Sequence, residues 1–155
     1  MICFHNPEEE NGYLSNWYMS DFVIDEIEFS SMEKYMMYQK AVTFQDLRIA
    51  QQILNTNDVA QIKAYGRQES HYEEVLWNGI RQIVVYQGLI GKFSQNPSLK
   101  KRLKETGDEL LAECAVHDKI WGIGLSMNDP ARFDIHKWKG ENLLGFTLMK
   151  VREEL

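Results

Sequence analysis

The chain has 155 residues, of which 44% are hydrophobic and 12% aromatic, and its formal net charge is −6. This composition is typical of one globular domain without disordered segments. The acidic balance disfavours non-specific attraction to nucleic acid, although a local basic pocket is compatible with a few phosphates. The first residues lack a basic region followed by a long apolar run, and no window approaches the ~18 apolar residues of a membrane span. We therefore expect a cytoplasmic protein that does not enter a membrane.

Two cysteines, Cys3 and Cys114, are far apart in the sequence and lack the spacing of a metal motif. Reduced thiols are therefore expected, rather than a disulfide or a zinc site. The four histidines likewise show no mutual metal spacing, so the sequence predicts neither a metal nor another cofactor.

Short strands and helices are predicted along the first half of the chain. Residues 2–5 suit a strand, and residues 22–30 suit a second strand that turns as a hairpin at Asp25 and Glu26. The segment 12–18 between them is expected to be an irregular loop. Helical periodicity then predicts a helix over 29–44, with Ser30 or Ser31 as its cap, and another over 46–54.

Helices also dominate the prediction for the rest of the chain. The expected features are a helix capped by Asp58 and ending near Gly66, a long helix from Ser70 through Phe93, a helix from Pro97, extended segments at 110–116 and 120–124, and a last helix capped by Asn142. Together these elements predict a single α+β domain over 1–155, rich in helix and containing a small β-sheet.

The helix predicted over 29–44 carries two opposite charges on its core-facing stripe. At 3.6 residues per turn, Glu33 and Lys40 align with Met36, Met37, Ala41 and Phe44. Burying such charges without partners costs several kcal/mol, which favours mutual neutralisation or a bound ligand. They lie roughly 10.5 Å apart along the axis, so both can reach one small molecule. The alternative is that both side chains extend to water beside the polar flank of Lys34, Tyr38 and Gln39.

One dense basic run follows Pro97. It consists of Lys100, Lys101, Arg102 and Lys104, on a helix that directs Leu99 and Leu103 inward. A solvated helix face is the expected reading, and a phosphate site is the alternative.

Six motifs occur in an order and spacing that resemble one family. They are GYLSN at 12–16, MEKYMMYQKA at 32–41, Gly66 with Arg67, Trp77 with Arg81 and Lys92-Phe93, DKIWGIG at 118–124, and GENLLGFTLMKVREEL at 140–155. The chain resembles the NADAR, or YbiA-like, N-glycosidase family over nearly its whole length. The segment between Gly124 and Gly140 departs from that pattern, since it is longer and carries Asp134, His136 and Trp138.

The resemblance implies a YbiA-like fold and hydrolysis of the bond between a ribose anomeric carbon and a nitrogen. Two substrates are implied: phosphorylated ribosylamino-pyrimidine intermediates of riboflavin biosynthesis, or ADP-ribosylated guanine in nucleic acid. Both substrates contain a ribose phosphate, which is the chemical group that the protein is expected to bind. The alternative from another class is a sensor domain that binds ADP-ribose or a nucleotide without cleaving it. The sequence makes no prediction of oligomeric state.

Cleavage of this bond builds positive charge on the sugar, which an ionised carboxylate stabilises or relieves by activating water. Glu33 is the first candidate for that carboxylate and Asp118 the second. Lys40 has two candidate roles: a cation that binds phosphate or ribose hydroxyls, or an amine that attacks the anomeric carbon to form a Schiff base. A salt bridge of Lys40 to Glu33 or Asp118 is the structural alternative.

Four further residues are candidates for substrate binding. Trp121, between small neighbours, and Trp77 could stack on a base, and both could equally be packed in the core. Arg67 after the helix-ending Gly66 could clamp a phosphate or be an ordinary exposed arginine. Asn16 could bind a base edge or close a turn.

Overall fold

Six α-helices and four short strands make up the fold in a computed structural model that describes all 155 residues. The strands are β1 (Ile2–Phe4), β2 (Met19–Ile24), β3 (Ile27–Ser31) and β4 (Leu111–Glu113). The helices are α1 (Met32–Thr43), α2 (Leu47–Leu54), α3 (Val59–Tyr65), α4 (Glu74–Ser94), α5 (Pro97–Glu105) and α6 (Leu143–Glu154). Short 3-10 helices lie at Gly12–Leu14, Pro130–Phe133 and Ile135–Lys137. The predicted α+β class is confirmed, and no helix combines the length and hydrophobicity needed to cross a membrane.

Contacts divide the chain into two compact units. One is formed by residues 1–18 together with 97–155, and the other by residues 19–96. The single-domain organisation over 1–155 stays a prediction.

The unit 19–96 begins with a hairpin of β2 and β3. These strands pair antiparallel, with Ile24 opposite Ile27, and the turn residues Asp25 and Glu26 have φ angles of 52° and 67°. Two successive residues with positive φ give a turn whose twist matches the flanking strands, so the predicted hairpin turn is confirmed. Because β3 continues to Ser31, α1 starts three residues later than the sequence predicts.

Helix α1 forms the centre of this unit and contacts β3 and the three helices that follow it. Phe29 of β3 packs its ring 5.1 Å from the ring of Tyr35, and Phe22 of β2 lies 6.0 Å from the same ring. At Gly88 of α4, an added Cβ would come within 2.5 Å of Tyr35. A glycine at this point therefore lets α4 approach the aromatic cluster on α1.

The other unit is built on a parallel pair of strands, β1 and β4, with α6 packed on β4. Asn142 precedes α6 as predicted, but its side chain does not cap the helix. Instead, its Oδ1 accepts from the Glu113 amide at 3.0 Å and its Nδ2 donates to the Leu111 carbonyl at 2.9 Å. Asn142 therefore continues the hydrogen bonding of β4, and its backbone adopts a left-handed conformation with φ 54°.

Two further predictions of secondary structure are wrong. Helix α4 begins at Glu74 rather than Ser70, because His71 has a φ of 62° and the Ser70 amide donates to the Asp46 carboxylate at 2.8 Å. The segment 120–124 is not a strand but a series of bends. The carbonyl groups of residues 120–123 accept from the amides of residues 139 and 142–144, so these carbonyls are satisfied without a sheet.

Candidate active site

Helix α1 buries the first of the two predicted charges. Ser31 caps the helix by accepting a 3.1 Å hydrogen bond from the Lys34 amide, and Glu33 lies in the first turn with 5% of its surface exposed. A carboxylate at this end of a helix is stabilised by the helix dipole. The predicted stripe is buried as well, through Met36, Met37, Ala41 and Phe44. The alternative in which Glu33 extends to water is therefore wrong.

The second charge, Lys40, is held by a buried carboxylate and a carbonyl. Its Nζ lies 2.8 Å from Oε1 of Glu69 and donates a 2.6 Å hydrogen bond to the Gly66 carbonyl. The side chains of Lys40 and Glu69 are only 14% and 2% exposed. The ion-pair partner of Lys40 is therefore Glu69, which the sequence did not suggest, rather than Glu33 or Asp118. Apart from this ion pair, neither carboxylate oxygen of Glu69 has a hydrogen-bond partner.

Two aromatic rings flank the Lys40 ammonium group. Nζ lies 4.9 Å from the ring centroid of Tyr72 and 5.9 Å from that of Trp77, both within range of a cation–π interaction. Trp77 is buried, and Tyr72 is 41% exposed. Lys40, Glu69, Tyr72, Trp77 and the Gly66 carbonyl are called the Lys40 cluster below. Tyr72 gives this cluster an aromatic surface that faces solvent.

Local packing brings Glu69 and Tyr72 to Lys40. Asp46 caps α2 by accepting from the Ile49 amide at 3.0 Å, and its other oxygen accepts from the Ser70 amide at 2.8 Å. These hydrogen bonds lower the pKa of Asp46, and the one from the Ser70 amide has the largest effect. The same carboxylate thus fixes the start of α2 and the loop that carries Glu69 and Tyr72.

Gly66 makes the approach of α3 to α1 possible. A Cβ at this position would lie 1.9 Å from the sulfur of Met37 on α1. The absence of a side chain lets the Gly66 carbonyl come within hydrogen-bond distance of Lys40. Arg67, the predicted phosphate clamp, follows directly and is exposed.

Lys34 and two residues of the basic run donate hydrogen bonds to other groups of the protein. Lys34, predicted as part of a polar flank, is buried, and its Nζ donates to Asn57 at 2.8 Å and to the Leu54 carbonyl at 3.2 Å. Burial lowers its pKa. In the basic run, Arg102 donates to the Glu10 carbonyl at 2.6 Å, and Lys104 donates to the Arg152 carbonyl at 2.9 Å. These contacts support a structural role for the run rather than a phosphate site.

In the unit of 1–18 with 97–155, Asp118 and Trp121 lie together. Oδ1 of Asp118 accepts from the amides of Ile120 at 3.0 Å and Trp121 at 2.8 Å, and both Asp118 and Trp121 are half-buried. The sequence suggested that the small neighbours of Trp121 leave space for a ligand, but the glycine beside it is closely packed. A Cβ on Gly122 would lie 2.9 Å from the carbonyl oxygens of Asp118 and Glu113. Gly122 therefore serves close backbone packing.

Asn16, also in this unit, is 6% exposed. Its Oδ1 is buried without a hydrogen-bond partner. A buried carbonyl oxygen left unpaired costs about 1–3 kcal/mol, and such a group in a native fold is a candidate for pairing with a ligand donor. This observation favours the ligand role of Asn16 over the turn role.

The divergent segment 125–139 is stabilised by its own side chains. Asp129 and Asp134 cap the two 3-10 helices by accepting from the Ala131 and His136 amides. Trp138 donates through Nε1 to the Arg132 carbonyl at 2.8 Å. Asp134 and Trp138 thus have structural partners within this segment.

The unit 19–96 also has two open cavities away from the Lys40 cluster. One, of about 370 Å³, is lined by Asp21, Glu28, Ser30, Lys34 and Leu54–Asn57. The other, of about 460 Å³, is lined by Ile24, Asp25, Tyr35, Gln39, Gln87, Ile90, Gly91, Ser94 and Gln95. We assign the candidate site to the Lys40 cluster instead, because it holds the buried acid and base. No group of three or more histidine, cysteine or acidic residues is arranged to hold a metal ion.

A family model described as the NADAR domain matches residues 3–155. The chain belongs to the NADAR family. The relatives of this NADAR chain include an N-glycosidase of Acanthamoeba polyphaga mimivirus, 42% identical over 127 residues that cover 82% of this chain and 75% of the relative. A riboflavin biosynthesis protein of Vibrio vulnificus is 34% identical over 99% of this chain and 38% of its own length. This chain thus spans little more than a third of the Vibrio protein.

The NADAR fold is also found in a solved structure. The NMR structure of the Escherichia coli protein YbiA matches with a TM-score of 0.81 and 26% identity, covering 99% of this chain and 83% of that one. In sequence, the N-glycosidase YbiA of Escherichia coli is 26% identical over the whole chain and 88% of its own length. The predicted YbiA-like fold is confirmed.

Proposed function

We propose that this NADAR chain is an N-glycosidase that hydrolyses the bond between ribose and nitrogen in a ribose phosphate, acting in the cytoplasm. The observation that carries the proposal is the Lys40 cluster, in which Lys40, on the same helix as the buried Glu33, forms an ion pair with the buried carboxylate of Glu69. Membership of the family and relatives named as N-glycosidases support the reaction class. The two free cysteines favour a reducing compartment.

In this proposal, Glu33 acts on the charge that develops at the anomeric carbon. As the base departs, the sugar becomes oxocarbenium-like, and a carboxylate held in a water-poor environment stabilises it or deprotonates the attacking water. Catalysis of this kind is typically worth about 10²–10⁴ in rate. Asp118 is the weaker candidate, because its Oδ1 already accepts two hydrogen bonds from its own backbone segment.

Lys40 and Glu69 are proposed to bind the ribose phosphate. An ammonium group has three N–H donors, and the contacts with Glu69 and Gly66 use two of them, which leaves one for a phosphate or hydroxyl oxygen. The unused acceptor positions of Glu69 suit the hydroxyl donors of a ribose. If Lys40 instead attacks as an amine, Glu69 is the nearest group to accept its proton.

The exposed ring of Tyr72 is proposed to stack on the base beside the ammonium group. Trp77 fixes the other side of Lys40, and Asn16, Arg67 and Trp121 remain proposed substrate-binding residues.

A phosphorylated ribosylamino-pyrimidine of riboflavin biosynthesis is the proposed substrate. The naming of the Vibrio relative supports this class, and the net charge of −6 disfavours a duplex nucleic acid. The test is to incubate the purified protein with this compound and, separately, with ADP-ribosylated guanosine, and to measure the released sugar, which is ribose phosphate from the first and ADP-ribose from the second. We expect release from the pyrimidine. Release only from the guanosine would move the proposal to that substrate, and release from neither by folded protein would contradict the N-glycosidase.

A binding-only sensor is distinguished by the same experiment with calorimetry added, because a sensor binds ADP-ribose without producing free base. The role of Lys40 is tested with borohydride during turnover. A reduced adduct on Lys40 would assign the amine role. Absence of an adduct, together with activity in Lys40→Arg, would assign the cation role.

A further inference from the structure

Cys3 and Cys114 lie on one face of the parallel strand pair, although 110 residues of sequence separate them. The register places Cys3 opposite Ala112, and side chains two positions apart on a strand share a face, so Cys114 follows Ala112 on the side of Cys3. The Cys114 amide also donates to the Phe4 carbonyl at 2.8 Å. Both cysteines belong to one apolar cluster with Ile123 and Leu125.

The two thiols differ in exposure. Cys114 is 1% exposed, whereas Cys3 is only partly buried. A partly accessible thiol beside a buried one is the arrangement of an attacking and a resolving cysteine.

Charged and polar neighbours stabilise the thiolate of Cys3. The neighbouring Cys114 thiol, and then the Arg132 guanidinium, lower the pKa of Cys3 to about 7 against the effect of burial. The Nε of Arg132 is buried without a hydrogen-bond partner of its own, which leaves a donor for an anionic sulfur or sulfenate. The same contact with Cys3, together with burial, raises the pKa of Cys114. Glu113 and the amino group of Met1 are the other charges that act on the pair.

We propose that Cys3 and Cys114 form a peroxide-sensitive dithiol that closes into a disulfide linking β1 to the residue after β4. The Cys3 thiolate attacks one peroxide oxygen, the O–O bond breaks, and the departing hydroxide takes a proton to become water. The sulfur of Cys114 then attacks the sulfur of the Cys3 sulfenic acid, the S–O bond breaks, and a second water leaves. The two thiols lose two protons and two electrons, and the peroxide is reduced to two waters.

Closure requires a small movement. In a regular ladder, residues two positions out of register have Cα atoms roughly 8 Å apart, from the ~4.8 Å strand spacing and ~3.3 Å rise. Disulfides usually join Cα atoms roughly 4.4–6.8 Å apart. Cys114 lies one residue beyond the end of β4, so the shift of roughly 1–2 Å falls in the irregular segment and turn at 114–117. We therefore expect a bond that small thiols reduce readily.

The test is peroxide oxidation of the folded protein at pH 7.5, followed by alkylation in denaturant and intact-mass measurement. We expect the wild type to lose two mass units and to resist alkylation, and added dithiothreitol to restore both thiols. In Cys114→Ser, Cys3 should stop at a sulfenic acid that dimedone captures. In Arg132→Gln, disulfide formation should slow by roughly fivefold because a smaller fraction of Cys3 is thiolate at this pH. The control Arg48→Gln, at an exposed arginine, should leave the rate unchanged.

Two alkylatable thiols in the oxidised wild type would overturn the proposal, as would a disulfide only between two chains on a non-reducing gel. An unchanged rate in Arg132→Gln would remove Arg132 from it. None of these outcomes depends on N-glycosidase activity.

Discussion

The Lys40 cluster and the segment 118–124 both carry charges that the sequence marks as catalytic candidates, but they satisfy those charges differently. One carboxylate oxygen of Asp118 accepts hydrogen bonds from two amides of its own segment, which stabilises the loop. Lys40 is held by Glu69, a carboxylate from another element that has no other partner. A carboxylate that accepts hydrogen bonds from its own backbone segment has fewer acceptor positions for a ligand. A buried ion pair with unused donors and acceptors can still form hydrogen bonds with one. The comparison therefore favours the Lys40 cluster as the centre of the site.

The substitution Lys40→Met is expected to have the largest effect on stability and activity. Removing one partner of a buried ion pair leaves the other charge uncompensated, at a cost of about 3–5 kcal/mol. We expect that loss in urea unfolding, together with a fall in kcat/KM of about 10²-fold or more. The double variant Lys40→Met with Glu69→Met should recover most of the stability but none of the activity. Recovery of activity in the double variant would contradict the role of the pair.

Gly66→Ala tests the close approach of α3 to α1. The new Cβ would meet the sulfur of Met37, and overpacking of this kind costs about 1–3 kcal/mol. Because the carbonyl that binds Lys40 must shift, activity should fall as well. Gly79→Ala on α4, where a Cβ meets nothing within 4 Å, is the matched control and should lose neither.

A second buried lysine sharpens the contrast between charges. Lys92 on α4 is 0% exposed, and burial lowers its pKa to about 7. Between about pH 7 and the unfolded pKa near 10.4, the unfolded chain holds a proton that the folded chain lacks, so stability rises with pH. Relative to Lys92→Met, the wild type should gain up to about 1.4 kcal/mol per pH unit in that window. A difference independent of pH would show that Lys92 is charged when folded.

Asp118→Asn should have the smallest effect. The amide keeps a carbonyl oxygen that accepts from Ile120 and Trp121, so the loop is retained and activity should stay within about tenfold of the wild type, below the ~10²–10⁴ typical of a general base. Asp118→Ala, which removes the acceptor, should instead lower stability by about 1 kcal/mol. A loss of 10³-fold or more in kcat for the folded Asn variant would restore Asp118 as the catalytic carboxylate.

Local patterns predicted the parts of the site that local chemistry determines. The stripe with Glu33 and Lys40 follows from helical periodicity, and the cap at Ser31 and the turn at Asp25 and Glu26 follow from residue type. Each depends on residues within a few positions of one another.

Partners from distant elements escaped prediction. Glu69 lies in a loop with no periodicity, and its only sequence signal is its place three residues after the Gly66 motif. The predicted start of the long helix at Ser70 places Tyr72 in its first turn, but the Ser70 amide is bound by Asp46 from another element, and the helix begins at Glu74. Cys3 and Cys114 share a face only because β1 and β4 pair across the chain. Such contacts depend on tertiary packing, which overrides local propensity.

The most direct measurement is single-turnover hydrolysis of a ribosylamino-pyrimidine phosphate by Glu33→Gln, with Kd measured on the same protein. We predict that Kd stays within about threefold of the wild type while the rate falls by about 10²–10⁴. Glu10→Gln, at an exposed glutamate, should match the wild type in both. Hydrolysis by Glu33→Gln at the wild-type rate would show that Glu33 is not the catalytic carboxylate.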